Sequence, residues 1–154
     1  MNIAYLNPQN RQKSEYRNVG KAKQSRLHVP DGEYLAMATD CKVLKMFAGM
    51  KAFIEFNIEG YDESPNEFNS VYLAIQMHEK YGPRSKLYKL WTLAHGRVPN
   101  KGEKISPKDL VGHIYQITTR TVTHDEHQKE HHDLMKYSVV DSIIALAVRN
   151  NRRK

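Results

Sequence analysis

One group of residues with the types and spacing for chemistry is a histidine-rich segment in the last third of the chain. Between positions 124 and 133, four histidines alternate with carboxylates, and residues 127–131 match the H-x-x-E-H motif of inverted zinc proteases. On a helix, His127 and His131 would lie one turn apart and could share a metal ion, with Glu130 as general base. The segment 123–136 is polar throughout and offers no apolar helix face to bury such a site. Zinc hydrolysis is therefore not predicted.

Two other interpretations of the histidine segment stay open. His127 and His131 are weak candidates for adventitious or regulatory metal binding. Alternatively, the segment is a solvated loop whose histidines protonate at about pH 6 and then strengthen anion binding.

A second group consists of aromatic and basic side chains on alternating strands. The clearest alternation runs from Met50 to Ile58, with Lys51 and Phe53 on the polar side. Single-stranded nucleic acid is bound by cations along its backbone and by aromatic rings under its bases. Base stacking would explain Phe53, and so would packing under residues 59–68; Tyr72 is either a stacking platform or a half-buried strand tyrosine. The candidates from the strands and their loops are Lys42, Lys45, Phe47, Lys51, Phe53, Tyr72, Tyr115, Arg120 and Lys136.

A basic segment from Lys80 to Lys108 carries a net charge of +7 and adds Lys86, Lys89 and Arg97 to the candidates. This density favours phosphate contacts. The alternative is a solvated helix face that attracts the acidic residues of the 59–68 loop.

The two ends of the chain hold the rest of the positive charge. The whole chain has a net charge of +7, of which residues 1–30 contribute +5 and residues 149–154 contribute +4, so residues 31–148 sum to −2. Basic arms on a nearly neutral body add phosphate affinity without charging the core, although they also simply improve solubility. We predict a flexible basic arm at 1–28, a domain at 29–148 and a basic tail at 149–154.

The periodicity of the sequence predicts three strands, one helix and two further strands. The strands are expected at 33–46, 50–58, 69–77, 113–122 and 137–148, although 143–148 also fits a buried helix. The helix is expected from a Ser85 cap to about His95, with Gly96 as its left-handed cap and Trp91 in the core. A five-stranded barrel with its helix between strands three and four is the layout of the OB-fold, which binds single strands or oligosaccharides on one face.

Several phrases of the sequence resemble a known group of proteins. They are residues 29–34 (VPDGEY), 50–56 (MKAFIEF), 86–91 (KLYKLW), 118–122 (TTRTV) and 137–140 (YSVV). The stretch 29–146 resembles small uncharacterised proteins of phages and conjugative elements, which in turn resemble phage-type single-stranded DNA-binding OB-fold proteins. The resemblance implies an OB-fold and DNA binding, and it carries over no catalytic residue.

The motifs of common enzyme classes are missing from the sequence. It contains neither a G-x-x-x-x-G-K-[ST] loop nor a G-x-G-x-x-G fingerprint, and Cys41 lies mid-strand without an activating base. A lone cysteine and an amino terminus unlike a signal peptide favour a cytoplasmic protein. We predict a non-catalytic, cofactor-free protein that binds single-stranded DNA or RNA. The alternative is a protein-interaction module, such as a phage inhibitor or adaptor.

Overall fold

The computed structural model describes residues 27–60 and 70–149. The strands are β1 (Gly32–Met46), β2 (Gly49–Ile58), β3 (Ser70–Gln76), β4 (Ile114–Val122) and β5 (Tyr137–Val148). The helix α1 (Lys86–His95) follows β3 along the chain, and two short 3-10 turns occupy Pro107–Leu110 and Asp133–Met135. The predicted strands are confirmed to within one residue at each end, and 143–148 is strand rather than helix. Most of the predicted arm, the tail after Arg149 and residues 61–68 of the predicted acidic loop at 59–68 lie outside the described residues.

All five strands belong to one antiparallel sheet in the order β3-β2-β1-β4-β5. The prediction of a barrel is corrected in one respect, because the described sheet is not closed by hydrogen bonds between its edge strands β3 and β5. The sheet nevertheless curls so that β3 and β5 approach each other, and α1 contacts both of them. The helix therefore lies at the gap between the two edges.

Alternation along β2 and β3 determines which face of the sheet is buried. Ala52, Ile54, Phe56 and Ile58 of β2 point inward, as do Val71, Leu73 and Ile75 of β3. Leu87, Leu90, Trp91 and Ala94 of α1 are buried as well. The helix begins where the Ser85 side chain accepts a hydrogen bond from the Tyr88 amide, and it ends at Gly96, whose φ of 70° requires glycine-like freedom.

A β-bulge in β1 reverses the side chains that face the core. Before the bulge, the even-numbered Ala36 and Ala38 are buried, and the register with β2 shifts between Ala38 and Asp40. After it, Cys41 lies opposite the buried Ile54, so the odd-numbered residues point inward. Lys42 is therefore on the solvent side of the sheet.

Over the described residues, none of the helices has the length and apolar character needed to cross a membrane.

Candidate nucleic-acid interface

The solvent side of β1, β2 and β3, here called the outer face, carries a row of side chains running across the strands. Lys42 of β1 lies directly opposite Phe53 of β2, and Phe53 lies directly opposite Ala74 of β3. Neighbouring strands are about 4.8 Å apart, so the three side chains fall within about 10 Å. Phe53 is half-buried, and its partner on β3 is the small Ala74.

The row continues past the sheet edge to the start of the helix. Lys86 Nζ donates a hydrogen bond of 3.0 Å to the Ala74 carbonyl oxygen. Partial burial lowers the pKa of the Lys86 ammonium, nearby Arg120 lowers it further, and Asp141 opposes both. Two cations of the predicted set, Lys86 and Arg120, therefore lie near enough to interact electrostatically.

Arg120 is exposed and forms one ion pair among the described residues. Its Nε lies 3.5 Å from Asp141 Oδ1 across the β4–β5 pair, and both side chains are more than half exposed. An exposed pair of this kind is worth at most about 1 kcal/mol, so a phosphate can compete for Arg120.

Other candidates flank the row on the same face. Lys51 lies opposite Gln76, and Tyr72, which is 43% exposed, lies opposite Glu55. Phe53 and Tyr72 are diagonal neighbours, a relation that puts them about 7–8 Å apart. Two aromatic rings at this separation offer platforms to successive bases of one strand.

Two carboxylates, Asp40 and Glu55, also lie on the outer face. Asp40 is directly opposite Glu55 across β1 and β2. Glu55 accepts a hydrogen bond from the Ser70 hydroxyl at 2.5 Å, and Asp40 accepts one from the Cys41 amide at 2.8 Å. The positive charge of the face is therefore concentrated on the hairpin side of Phe53 and at Lys86. Only the bulge explains why Asp40 stands opposite Glu55.

The hairpin end presents Phe47, in the turn between β1 and β2, and Lys45, near the end of β1, to solvent. Lys45 lies opposite Met50 on the inner side of the sheet, so this candidate is not on the outer face. Phe47 is fully exposed, and Leu44, Met46 and Met50 beside it are each exposed by more than 40%. No carboxylate occurs between Cys41 and Ile54 in the sequence. The hairpin end is therefore apolar and cationic.

Tyr115 is a correction to the predicted binding set. Its side chain is 0% exposed, its ring contacts Phe56 edge-on at 5.9 Å, and its hydroxyl donates to the Leu110 carbonyl at 2.8 Å. Burial raises the pKa of its phenol, so the group stays protonated. Tyr115 lies on the inner side of β4 and cannot stack on a base.

Two further cations of the predicted set are held by carboxylates. Lys136 is 19% exposed, and its Nζ lies 2.8 Å from Asp133 Oδ1 and 3.6 Å from Glu130 Oε1. The hydrogen bond that Lys136 donates to Asp133 is the main reason that the pKa of Lys136 is raised. Arg97 makes two hydrogen bonds of 2.9 Å to Glu103 and lies over the Trp91 ring. By contrast, Lys89 is exposed on α1.

The connector, residues 123–136, does not form the helix that the H-x-x-E-H motif needs. His127 lies in a turn, His131 precedes the 3-10 turn, and the His131 amide donates to the Thr123 carbonyl. Among residues 27–60 and 70–149, no group of three or more potential ligand side chains could hold a metal ion. Without helical spacing, His127 and His131 do not share one face.

No protein-family model matches this chain, and no curated protein shows significant similarity to it. The case for a function therefore depends on the residues of the outer face.

Proposed function

We propose that the protein binds single-stranded nucleic acid, most readily DNA, across the outer face and without catalysis. The observation that supports this most strongly is the row Lys42–Phe53–Ala74–Lys86, which alternates cation, aromatic ring, small residue and cation. A single strand lying along it would contact cations on both sides of a stacked base.

The arrangement of the elements supports the same proposal. We infer an OB-fold-like architecture, because five antiparallel strands with a helix between β3 and β4 and approaching edges correspond to a partly open barrel. The binding face of that fold lies on β2 and β3, where Phe53 and Tyr72 occur. The resemblance of residues 29–146 to phage-type DNA-binding proteins agrees with this assignment.

The test is a fluorescence-anisotropy titration of a labelled single-stranded oligonucleotide at two salt concentrations. We expect binding that weakens with salt, and we expect Phe53→Ala to reduce affinity about 5- to 150-fold, the equivalent of about 1–3 kcal/mol for one stacked base. Val98→Ala is the matched control, because Val98 is exposed and remote in sequence from the outer face. Absence of binding at low salt, or equal affinities for wild type and Phe53→Ala, would contradict the proposal.

A protein-interaction module is the second candidate, favoured by exposed apolar residues away from the outer face. Leu134 and Met135 in the connector are 86% and 65% exposed. If the protein binds no oligonucleotide at low salt, this candidate becomes the better one.

A further inference from the structure

The second half of β1 has an edge with open backbone groups. On one side it pairs with β2 as far as Met46, whereas its pairing with β4 ends at Met37, with Ala38 bonded to Gly112 and His113. Beyond Ala38, no other described segment forms a backbone hydrogen bond to β1 on that side. Cys41–Met46 is called the free edge below.

The direction of the open groups follows from the neighbouring strands. The Met50 carbonyl accepts a hydrogen bond from the Met77 amide, so the polar backbone groups of Met50 point toward β3. Lys45, the partner of Met50, is therefore in a non-hydrogen-bonded pair, and its N–H and C=O point away from β2. Alternation gives Val43 and Cys41 the same direction. The Cys41 amide is already bonded to Asp40 Oδ1, so Val43 and Lys45 supply the open donors.

Exposed apolar side chains accompany these open groups. Leu44 is 50% exposed, and Val43, Met46 and Phe47 are also exposed. An exposed apolar strand edge with open donors and acceptors is a template for another strand.

We propose that two copies of this chain pair through their free edges, antiparallel and centred on Leu44, to form a two-fold symmetric dimer. In this register, Val43 of each copy exchanges hydrogen bonds with Lys45 of the other, which uses the open groups and leaves the Asp40–Cys41 bond intact. Leu44 then lies directly opposite Leu44 of the second copy, in a closely spaced pair.

The lysines of the edge favour this register over the neighbouring register centred on Lys45. Centred on Leu44, Lys42 falls opposite Met46 of the second copy and Lys45 falls opposite Val43, so each lysine meets an apolar residue. Centred on Lys45, the pairing would set two lysines directly against each other, which is destabilising. The free edge is therefore complementary to itself in hydrogen bonding, and in the register centred on Leu44 no lysine directly opposes another lysine; this self-complementarity is why a second copy of the chain is the proposed occupant.

The dimer would join the two outer faces into one surface. A two-fold axis perpendicular to the sheet at Leu44 keeps both outer faces on the same side, so the Lys42–Phe53 rows of the two copies become neighbours. This consequence for the length of bound strand rests on the proposed function, whereas the dimer itself does not.

The main test measures mass by light scattering or sedimentation across a concentration series, without nucleic acid. Wild type is expected to be a dimer, and Leu44→Lys and Leu44→Glu are each expected to be monomers with unchanged circular dichroism. An equimolar mixture of the two variants is expected to form a one-to-one heterodimer. A wild-type chain that stays monomeric overturns the proposal and leaves the edge to a strand from another protein. A dimer that persists in Leu44→Lys, or a mixture that does not associate, also overturns it.

Cross-linking checks the register directly. In a Cys41→Ser background, Leu44→Cys is expected to form an intermolecular disulfide under mild oxidation, because directly opposed strand residues fall within disulfide range. Lys42→Cys in the same background is the control, since two copies of residue 42 are four positions apart along the strands. Cross-linking of Lys42→Cys in preference to Leu44→Cys would overturn the register.

Val43→Pro separates the dimer from the proposed function. Proline removes one open N–H at an edge position that tolerates it, and Val43→Ala retains that N–H. Val43→Pro is expected to be a monomer that keeps the wild-type affinity for short oligonucleotides and binds longer ones more weakly than wild type. If Val43→Pro and wild type bind both lengths equally, the proposal that the dimer joins the two outer faces into one binding surface is overturned. A failed Phe53→Ala test with an intact dimer would remove the proposed function alone.

Discussion

The lysines of the β1–β2 hairpin and the cations around the helix and the connector carry the same charge in different surroundings. Lys42, Lys45 and Lys51 form no ion pair with any residue in the described part of the chain. Around the helix and connector, Arg97 is bound by Glu103 and Lys136 by Asp133 and Glu130.

Arg149, the last described residue, is a further cation that the fold holds in place. The Arg149 Nε donates to the Ala94 carbonyl at 3.1 Å, so this residue of the predicted basic tail contacts the carboxyl end of α1. The comparison teaches that basic density along a sequence does not measure the charge offered to a ligand.

Aromatic residues differ between the two regions in the same way. Phe53 and Tyr72 face solvent on the outer face, whereas Trp91 is 2% exposed. The Trp91 indole nitrogen donates to Asp109 at 3.0 Å, and its ring stacks on His95 at 3.7 Å. The aromatic rings of the outer face are therefore partly exposed, whereas the Trp91 ring is part of the packed interior.

The largest expected effect tests the contrast between the buried Trp91 and the partly exposed Phe53. Trp91→Ala should lower the free energy of unfolding by about 3–5 kcal/mol, because it removes a buried ring and leaves Asp109 without its indole partner. Phe53→Ala should change that free energy much less. Urea denaturation followed by far-UV circular dichroism measures both, since Trp91 is the only tryptophan and cannot report on its own removal.

The matching measurement is affinity. Under conditions where Trp91→Ala is folded, its affinity for oligonucleotide should equal that of wild type, whereas Phe53→Ala should bind more weakly. A reversed pattern, with Phe53 governing stability and Trp91 governing affinity, would mean that the two regions have been assigned the wrong roles.

A smaller effect tests the contrast between the cations Lys42 and Lys136 through the salt dependence of binding. Lys42→Gln should reduce the slope of log affinity against log salt by roughly 0.7, the contribution of one phosphate contact to a single strand. Lys136→Gln is the matched control and should leave the slope unchanged, because Lys136 is already neutralised by Asp133 and Glu130. Equal changes in slope for the two variants would show that Asp133 and Glu130 do not prevent Lys136 from contacting a phosphate.

The strands and the helix could be predicted from the sequence because their signals are local. Alternation from Met50 to Ile58, the Ser85 cap and Gly96 each depend on a few neighbouring residues, and the structure confirms the elements that they predict. Closure of the sheet depends on how far it curls, which has no local signal.

The candidate site was harder to predict than the elements. The bulge after Ala38 reverses the inner side of β1, so a single period-two pattern could not assign both halves of that strand. The prediction includes Tyr115 in the binding set as a residue of a flanking strand, although alternation on β4 puts it on the opposite side from Arg120. The alternation on β4 is visible in the sequence and was sufficient to exclude Tyr115 from the face that carries Arg120. The pairing of Lys136 and Arg97 with carboxylates depends on side-chain geometry in turns, which spacing alone does not give.

The smallest expected effect concerns the Arg97–Glu103 pair and appears only in acid. The two hydrogen bonds from Arg97 are the main cause that lowers the pKa of Glu103 from 4.5 to about 2, and the Asn100 amide adds to them. A carboxylate whose pKa is depressed in the folded state stabilises the protein above its unfolded pKa, and that contribution is lost as the pH falls through the folded value. Wild type should therefore lose stability between about pH 4.5 and pH 2. Arg97→Gln should lose less over this interval, because Glu103 then titrates closer to its ordinary pKa. Thermal midpoints measured through the same interval test this, with Arg84→Gln as a control of equal charge in the same basic segment. Parallel pH profiles for wild type and Arg97→Gln would show that Glu103 does not hold Arg97, and the contrast with the unpaired hairpin lysines would then fail at this position.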